Sequence, residues 1–412
     1  MKIIHFCIVV LALLGGCTTP RQIPQAAASG HSPAPPVILI SIDGFRPDYL
    51  GRGSTPHLDA LAADGVRAKG MRPSFPTKTF PNHYTLVTGL RPDHHGLVGN
   101  VMKDARMPGV TFETSNKPVA NDPRWWDEAE PIWLTAEKAG MRTASMFWPG
   151  SAVAIHGVHP RDWRAFDQTV TPDERVDTVL GWFDRPEAER PRFVTLYFDQ
   201  IDHAGHTWGP AAPETAAAVA AIDTVIGRLR RGLAARHVAA DLIVVSDHGM
   251  APVSEDRVIR IAGIVPPGSA EVVADGPYAG IDPLPGHDDE LARALLAPHP
   301  HMTCRRRGDL PARLEYGHNP RVPAFICIAE TGWSILGGKT KEPVRGGAHG
   351  YDNMDAAMLA TFVAAGPDFR RGVVLDVFDN VDVYPLVMRL LSLPPRANDG
   401  TAAPFASALT AR

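Results

Sequence analysis

Three short apolar runs, each breaking off at an acidic residue, constrain this chain more than any other feature of its sequence. Val37-Ile38-Leu39-Ile40-Ser41-Ile42 stops at Asp43-Gly44, Val194 to Phe198 stops near Asp199 and Asp202, and Leu242-Ile243-Val244-Val245 stops at Ser246-Asp247-His248-Gly249. Runs of this length, apolar almost throughout, read as strands buried on both faces of a sheet. Thr55-Pro56 opens a helical pattern through Leu58, Leu61 and Ala62 that Gly65 closes, and an alanine-rich helical pattern occupies Pro213 to Arg236, between the second and third runs. Strand, helix and strand in that order require right-handed crossovers and a mostly parallel sheet. The expected fold is therefore α/β, and ligands of such sheets gather outside the carboxyl ends of the strands. The apolar stretch Ala356 to Ala365 reads as a further buried strand or helix. The Pro/Gly-rich stretch from about 265 to 300 reads as an inserted cap, not a separate domain.

The strand ends carry metal-ligand chemistry. Asp43 follows the first run, Asp202 and His206 lie four apart, Asp247 and His248 are adjacent, and His349 stands in Gly346-Gly347-Ala348-His349-Gly350-Tyr351. Read as loop residues, these three carboxylates and three imidazoles suit two zinc ions. Each pair alone is weak evidence, because an isolated Asp-His pair is usually structural. Their concentration at predicted strand ends of one sheet favours metal. The chain holds 17 histidines, and its net charge of −4 argues against a nucleic-acid-binding surface, which needs a basic excess, so no sequence-specific nucleic acid binding is expected. His203, Asp199, His94 and His95 read as loop or structural residues, His83 as a core or supporting residue, and Trp125-Trp126 as packing.

A nucleophile is available in Pro76-Thr77-Lys78-Thr79-Phe80-Pro81-Asn82-His83-Tyr84. Pro81 suits the first turn of a helix running to about Thr88 and ended by Gly89, which places Thr79 at or just before a helix N-terminus. Free amides and the helix dipole favour negative charge there. Thr79 is either an N-cap or a hydroxyl activated by metal coordination.

That segment, together with Asp202-x-x-Gly-His206 followed by Gly209-Pro210, Ser246-Asp247-His248-Gly249-Met250 and Gly347-x-His349-Gly350-Tyr351-Asp352-Asn353, resembles the nucleotide pyrophosphatase/phosphodiesterases of the alkaline phosphatase superfamily. The resemblance spans about Pro36 to Leu393 and keeps the family's motif order. It implies an alkaline phosphatase-like α/β catalytic domain over 37–395 and two Zn2+ per chain. Asp202, His206 and His349 would hold one ion, and Asp43, Asp247 and His248 the other, with Thr79 bound to it as nucleophile. It further implies a phosphate-contacting amide at Asn100, a base-stacking ring at Phe80, and an opposing wall at Phe166. The implied substrates are nucleotide-like small molecules. Alternatives are a phosphomonoesterase or phosphonate hydrolase of the same superfamily, and a non-catalytic surface binding protein. A sulfatase lacks support because its Cys/Ser-x-Pro-x-Arg motif is missing, and purely structural zinc is disfavoured by ligand sets without cysteine.

The termini add an address. Lys2 and the apolar run Ile3 to Leu14 fit a signal peptide over 1–16, too short for a comfortable membrane span. Leu14-Gly15-Gly16-Cys17 resembles a lipoprotein processing site, which implies lipidation of Cys17 and an exported protein on the outer membrane facing the periplasm. Residues 17–36 read as a solvated tether and 396–412 as a C-terminal tail. Cys304 and Cys327 either pair, as an oxidising compartment permits, or remain two buried thiols.

Overall fold

The computed structural model describes residues 34–338 and 343–411. The signal segment, Cys17 and nearly all of the tether lie outside the described residues. The main sheet has eight strands: β1 Val37–Ile42, β2 Val66–Ala68, β3 Thr143–Met146, β4 Asp162–Trp163, β5 Phe193–Phe198, β6 Asp241–Val245, β7 Phe362–Ala365 and β8 Val373–Leu375. Their order across the sheet is β8-β2-β7-β6-β1-β5-β3-β4. All but β7 run the same way. The stretch read as a buried strand or helix thus supplies an antiparallel strand, preceded by a short 3-10 turn at Ala356–Met358.

The unalternating hydrophobicity of the central strands has its cause in the layering. Val37 and Leu39 of β1 enter one core, while Ile38, Ile40 and Ile42 enter the other. Ile243 and Val245 of β6 likewise oppose Leu242 and Val244. With both faces covered, every side chain of these strands is apolar or hydrogen-bonded, as the pleat requires. Helices α1 Pro56–Asp64, α2 Thr79–Thr88, α3 Pro172–Phe183, α4 Gln200–Trp208, α5 Pro213–Ala235 and α6 Val383–Leu390 flank the sheet. Leu58 of α1, Val176 and Val179 of α3 and Val219, Ile222 and Ile226 of α5 line one core. Tyr84, Leu86 and Val87 of α2 and Leu386 and Val387 of α6 line the other. The buried Asp223 carboxylate of α5 accepts the amides of His57 and Leu58, so it satisfies the α1 N-terminus from a neighbouring helix.

Register decides what reaches the functional edge. Ile42 pairs with Phe198, and Ser41 pairs with both Tyr197 and Val245. The three strands therefore end at one level and deliver Asp43, the start of α4 and Asp247 to the same place. The Asp43 amide donates to Phe198 O at 2.9 Å, which holds that level past the end of β1.

The stretch read as an inserted cap over about 265–300 contributes two strands and a helix to a second region. Its antiparallel sheet runs Ala270–Ala274, Tyr278–Pro283, Phe325–Ala329, Met302–Arg306 in spatial order, with helix Asp288–Leu295 beside it. Composition marked only its Pro/Gly-rich first half. The last residues are not a loose tail: Phe405, Ala408 and Leu409 are buried in the main core, and the Asp399 amide donates to Gly89 O.

Cys304 and Cys327 face each other across neighbouring strands and form a disulfide. Their sequence separation of 23 closes a modest loop. Replacing both with serine should lower unfolding free energy by about 3 kcal/mol in a chemical denaturation series. Thiol titration of the denatured, unreduced protein should detect neither sulfur of this pair.

Candidate active site

Each predicted ligand is delivered by a different structural device. Asp43 follows β1, Asp247 and His248 follow β6, and His349 follows the short strand Gly347–Ala348. Asp202 and His206 are not loop residues. They lie on α4, where a spacing of four puts both on one helix face. Gly44 makes the meeting possible. Its φ is +67°, and a Cβ there would stand 3.1 Å from the Asp202 Cα, so the turn after β1 must be bare for α4 to approach.

The three imidazoles share one arrangement. His206 Nδ1 is 2.8 Å from Gly347 O, His349 Nδ1 is 2.8 Å from Thr77 O, and His248 Nδ1 is 3.0 Å from Gly249 O. A carbonyl only accepts, so each Nδ1 carries the hydrogen and donates, leaving Nε2 as a bare lone pair. Those lone pairs point at carboxylate oxygens. His248 Nε2 lies 2.9 Å from Asp247 Oδ2 and 3.5 Å from Asp43 Oδ1, while Asp202 Oδ1 lies 3.4 Å from His206 Nε2 and 3.7 Å from His349 Nε2. The same three oxygens, Asp43 Oδ1, Asp202 Oδ1 and Asp247 Oδ2, are buried without a hydrogen-bond donor. Electron-rich atoms facing one another with no donor between them form an arrangement suited to a cation, or failing that to protons on the carboxylates.

The electrostatics say the same. Burial, then repulsion from Asp247 and Asp202, raises the Asp43 carboxyl well above its ordinary value, although His248 and a 2.6 Å hydrogen bond from Tyr197 Oη oppose this. Burial, then Asp202, pushes Asp247 up to about 8. Burial lowers His248, and burial together with the neighbouring His248 lowers His349 well below the usual imidazole range. The rings of His248 and His349 stack 3.5 Å apart, which two neutral imidazoles tolerate and two cations do not.

All six predicted ligands converge, but the tightest groupings cut across the two expected sets. Donor atoms of Asp202, His248 and His349 lie within 4.8 Å of one another, as do those of Asp43, His83 and Asp247. His83 joins this second group by proximity only. Its Nδ1 donates to Thr79 O at 2.9 Å, and its Nε2 accepts from Ser41 Oγ at 2.8 Å, so neither nitrogen is free. Burial depresses its pKa to about 3 and keeps it neutral. His83 thus ties the start of α2 to β1 through Ser41, and its ring lies 3.4 Å from the Asp247 carboxylate.

Thr79 is the first residue of α2, and its Oγ1 lies 3.3 Å from His248 Nε2. The Asn82 side chain ties the preceding segment to α2: Oδ1 accepts from Ser74 N, and Nδ2 donates to Pro76 O and Lys78 O. Phe80 N donates to Asn100 Oδ1 at 3.0 Å, which brings Asn100 to the N-terminus of α2 and assigns Nδ2 as its remaining donor group. The Phe80 ring leans on Phe112 and Trp126. Phe166 packs edge-on against Tyr197, the residue that donates to Asp43, and Lys117 Nζ sits 4.4 Å over its ring. Tyr197, Thr77, Asn82 and Ser41 escaped sequence reasoning. Thr77 and Asn82 stood inside the quoted motif, while Ser41 and Tyr197 looked like ordinary strand residues.

This sheet, with a donor cluster at its carboxyl edge and a hydroxyl at a helix N-terminus beside it, defines a protein of the alkaline phosphatase superfamily. Residues 37–352 match the family of type I phosphodiesterases/nucleotide pyrophosphatases, and the chain belongs to that family. It is 37% identical over 398 residues to bovine ectonucleotide pyrophosphatase/phosphodiesterase family member 3, an alignment covering 93% of this chain and 45% of the bovine protein. It is 37% identical over 375 residues to a bis(5'-adenosyl)-triphosphatase of Xenopus laevis, covering 90% of this chain and 81% of that one. A solved structure of murine ectonucleotide pyrophosphatase/phosphodiesterase 5, an inactive threonine-to-alanine variant in complex with AMP, matches with a TM-score of 0.87 at 34% identity, covering 91% of this chain and 100% of that one. The chain thus spans about half the length of some curated relatives it matches.

The facing lone pairs predict a trade between stability and binding. In metal-free protein, Asp43→Asn should raise unfolding free energy by about 1–3 kcal/mol, because it removes a carboxyl whose ionisation is opposed by burial and by the neighbouring Asp247 and Asp202. The same variant should lose the rise in thermal midpoint that added zinc gives the wild type. Scanning calorimetry with and without zinc measures both effects, and a destabilised metal-free variant would contradict the account.

Proposed function

We propose that the chain is a two-zinc hydrolase of phosphodiester or pyrophosphate bonds in nucleotide-like substrates, releasing a nucleoside 5'-monophosphate through a phosphothreonine intermediate on Thr79. The observation that carries this reading is the Thr79 hydroxyl at the start of α2, beside a cluster of buried carboxylates and bare imidazole nitrogens. The relatives' names supply the substrate class.

Asp43, Asp247 and His248 are assigned to one ion with Thr79, and Asp202, His206 and His349 to the other. When bound, zinc supplies Lewis acidity that lowers the threonine hydroxyl pKa and neutralises charge on the phosphoryl and leaving oxygens. The chain's residues do the rest. Thr79 Oγ1 attacks phosphorus, the bond to the leaving oxygen breaks, and the nucleotidyl group is esterified to the threonine. Water entering from the opposite face then displaces Thr79, and two inversions give net retention at phosphorus. Asn100, oriented through its bond from Phe80 N, donates Nδ2 to a non-bridging oxygen. Phe80 offers its ring to the base, and Phe166 forms the opposing wall.

Export and a lipid anchor on Cys17 remain part of this reading. The Cys304–Cys327 disulfide supports an oxidising compartment. Detergent-phase partitioning of protein expressed with its leader, against a Cys17→Ala variant, tests the anchor; equal partitioning would remove it.

Turnover of bis-p-nitrophenyl phosphate, mono-p-nitrophenyl phosphate and a p-nitrophenyl nucleotide diester separates the alternatives. The diesters should turn over fastest. Thr79→Ala should lower kcat by about a thousandfold or more, and Asn100→Ala by about a hundredfold. Chelation should abolish activity and zinc restore it. Preference for the monoester would move the assignment to a phosphatase.

A further inference from the structure

We propose that Tyr316 is a positioning residue for this reaction: its hydroxyl fixes the loop that carries Asn100 and so sets the distance between the Asn100 amide and Thr79. The inference rests on the reading of Asn100 as a phosphoryl donor.

The loop Gly96–Asn100 lies between the short helix Pro92–His95 and the strand Val101–Lys103. It is held in place from the inserted region. Tyr316 Oη donates to Val98 O at 2.8 Å, and Arg321 donates to Gly96 O at 2.9 Å. Tyr278 Oη presses on Gly99 so closely that a Cβ there would stand 2.9 Å from it.

The two tyrosines also reach the nucleophile's side. Phe75, four residues before Thr79, meets the Tyr278 ring at 5.8 Å and the Tyr316 ring at 5.2 Å, both edge-on. One pair of rings therefore touches both the segment leading into Thr79 and the loop leading into Asn100. Tyr316 can act as a gauge because its own backbone is fixed. The amides of Gly317, His318 and Asn319 all donate to the buried Asp93 carboxylate. Arg321 is clamped by Asp104 and by the carbonyls of Trp125 and Arg124. Val98 is itself buried, so removing the hydroxyl leaves its carbonyl without that donor and the loop must shift to find another. Small displacements of a transition-state donor are costly in rate.

Tyr316→Phe keeps the ring on Phe75 and deletes only the hydroxyl. With zinc content and the folded state verified, kcat toward the nucleotide diester should fall about tenfold while KM moves by less than about twofold. The decisive measurement is a double-mutant cycle with Asn100→Ala, where Tyr316→Phe should cost less than about twofold because the group it positions is gone. An equal loss in both backgrounds, or no loss in the wild type while Asn100→Ala is impaired, would overturn the positioning role alone. An Asn100→Ala variant with unchanged kcat would overturn the donor reading and this inference with it.

Discussion

The architecture turns on one unfavourable confrontation. Oxygens of Asp43, Asp202 and Asp247 lie buried without donors, opposite ring nitrogens whose own hydrogens are committed to backbone carbonyls. Left to itself, such a cluster would relax by rotating side chains or admitting water. It is kept in place because each member is fixed from behind. Tyr197 holds Asp43, the Gly44 amide donates to Asp247 Oδ1, and the carbonyls of Gly347, Gly249 and Thr77 each hold one imidazole by Nδ1. The stability lost here is spread over two large cores that meet on the sheet, and the packing of those cores denies the cluster an escape.

The same fixing groups couple the cluster to Thr79. Thr77 O orients His349, and the Thr77 hydroxyl accepts from Gly350 N. His83 joins Thr79 O to the neighbourhood of Asp247, and Asn82 binds the segment before α2 to the helix itself. The stretch from Ser74 to Tyr84 is therefore both the frame of one histidine and the mount of the hydroxyl. A shift in either would be felt by both, which is what a preorganised site requires.

Much of this was legible in the sequence, for identifiable reasons. The two-sided burial of the central strands leaves an unalternating apolar signature, and strand ends in a parallel sheet collect ligands, so Asp43, Asp247 and their shared edge could be placed from the pattern alone. Asp202 and His206 could be paired by spacing, but their helix could not: α4 is short, contains Gly205, and gains its stability from tertiary contact. The two ligand sets came from the family resemblance, and the closest donor atoms in the structure cut across them because ring orientations are set by carbonyls from distant segments. The inserted sheet was half visible. Its Pro/Gly-rich start announced an irregular region, whereas Met302–Arg306 and Phe325–Ala329 carry no mark of belonging to it. The buried end of the chain was missed because Phe405 and Leu409 sit in an otherwise small-residue, polar stretch.

Exposure across the cluster is graded, and the gradient gives the site a direction. The side chains of Asp247 and His248 are fully buried and that of Asp43 nearly so, whereas His206 is 41% exposed and Asp202 18%. The enclosed members lie beside Thr79, His349 is nearly as buried, and the two more open residues, Asp202 and His206, are carried by α4. Thr79 Oγ1, 3.3 Å from the buried His248, is thus flanked by the enclosed side of the cluster, while Asp202 and His206 meet solvent. The gradient follows from the elements: β1 and β6 are central strands covered on both faces, whereas Asp202 and His206 stand on α4, which follows the inner strand β5 and leaves His206 partly exposed.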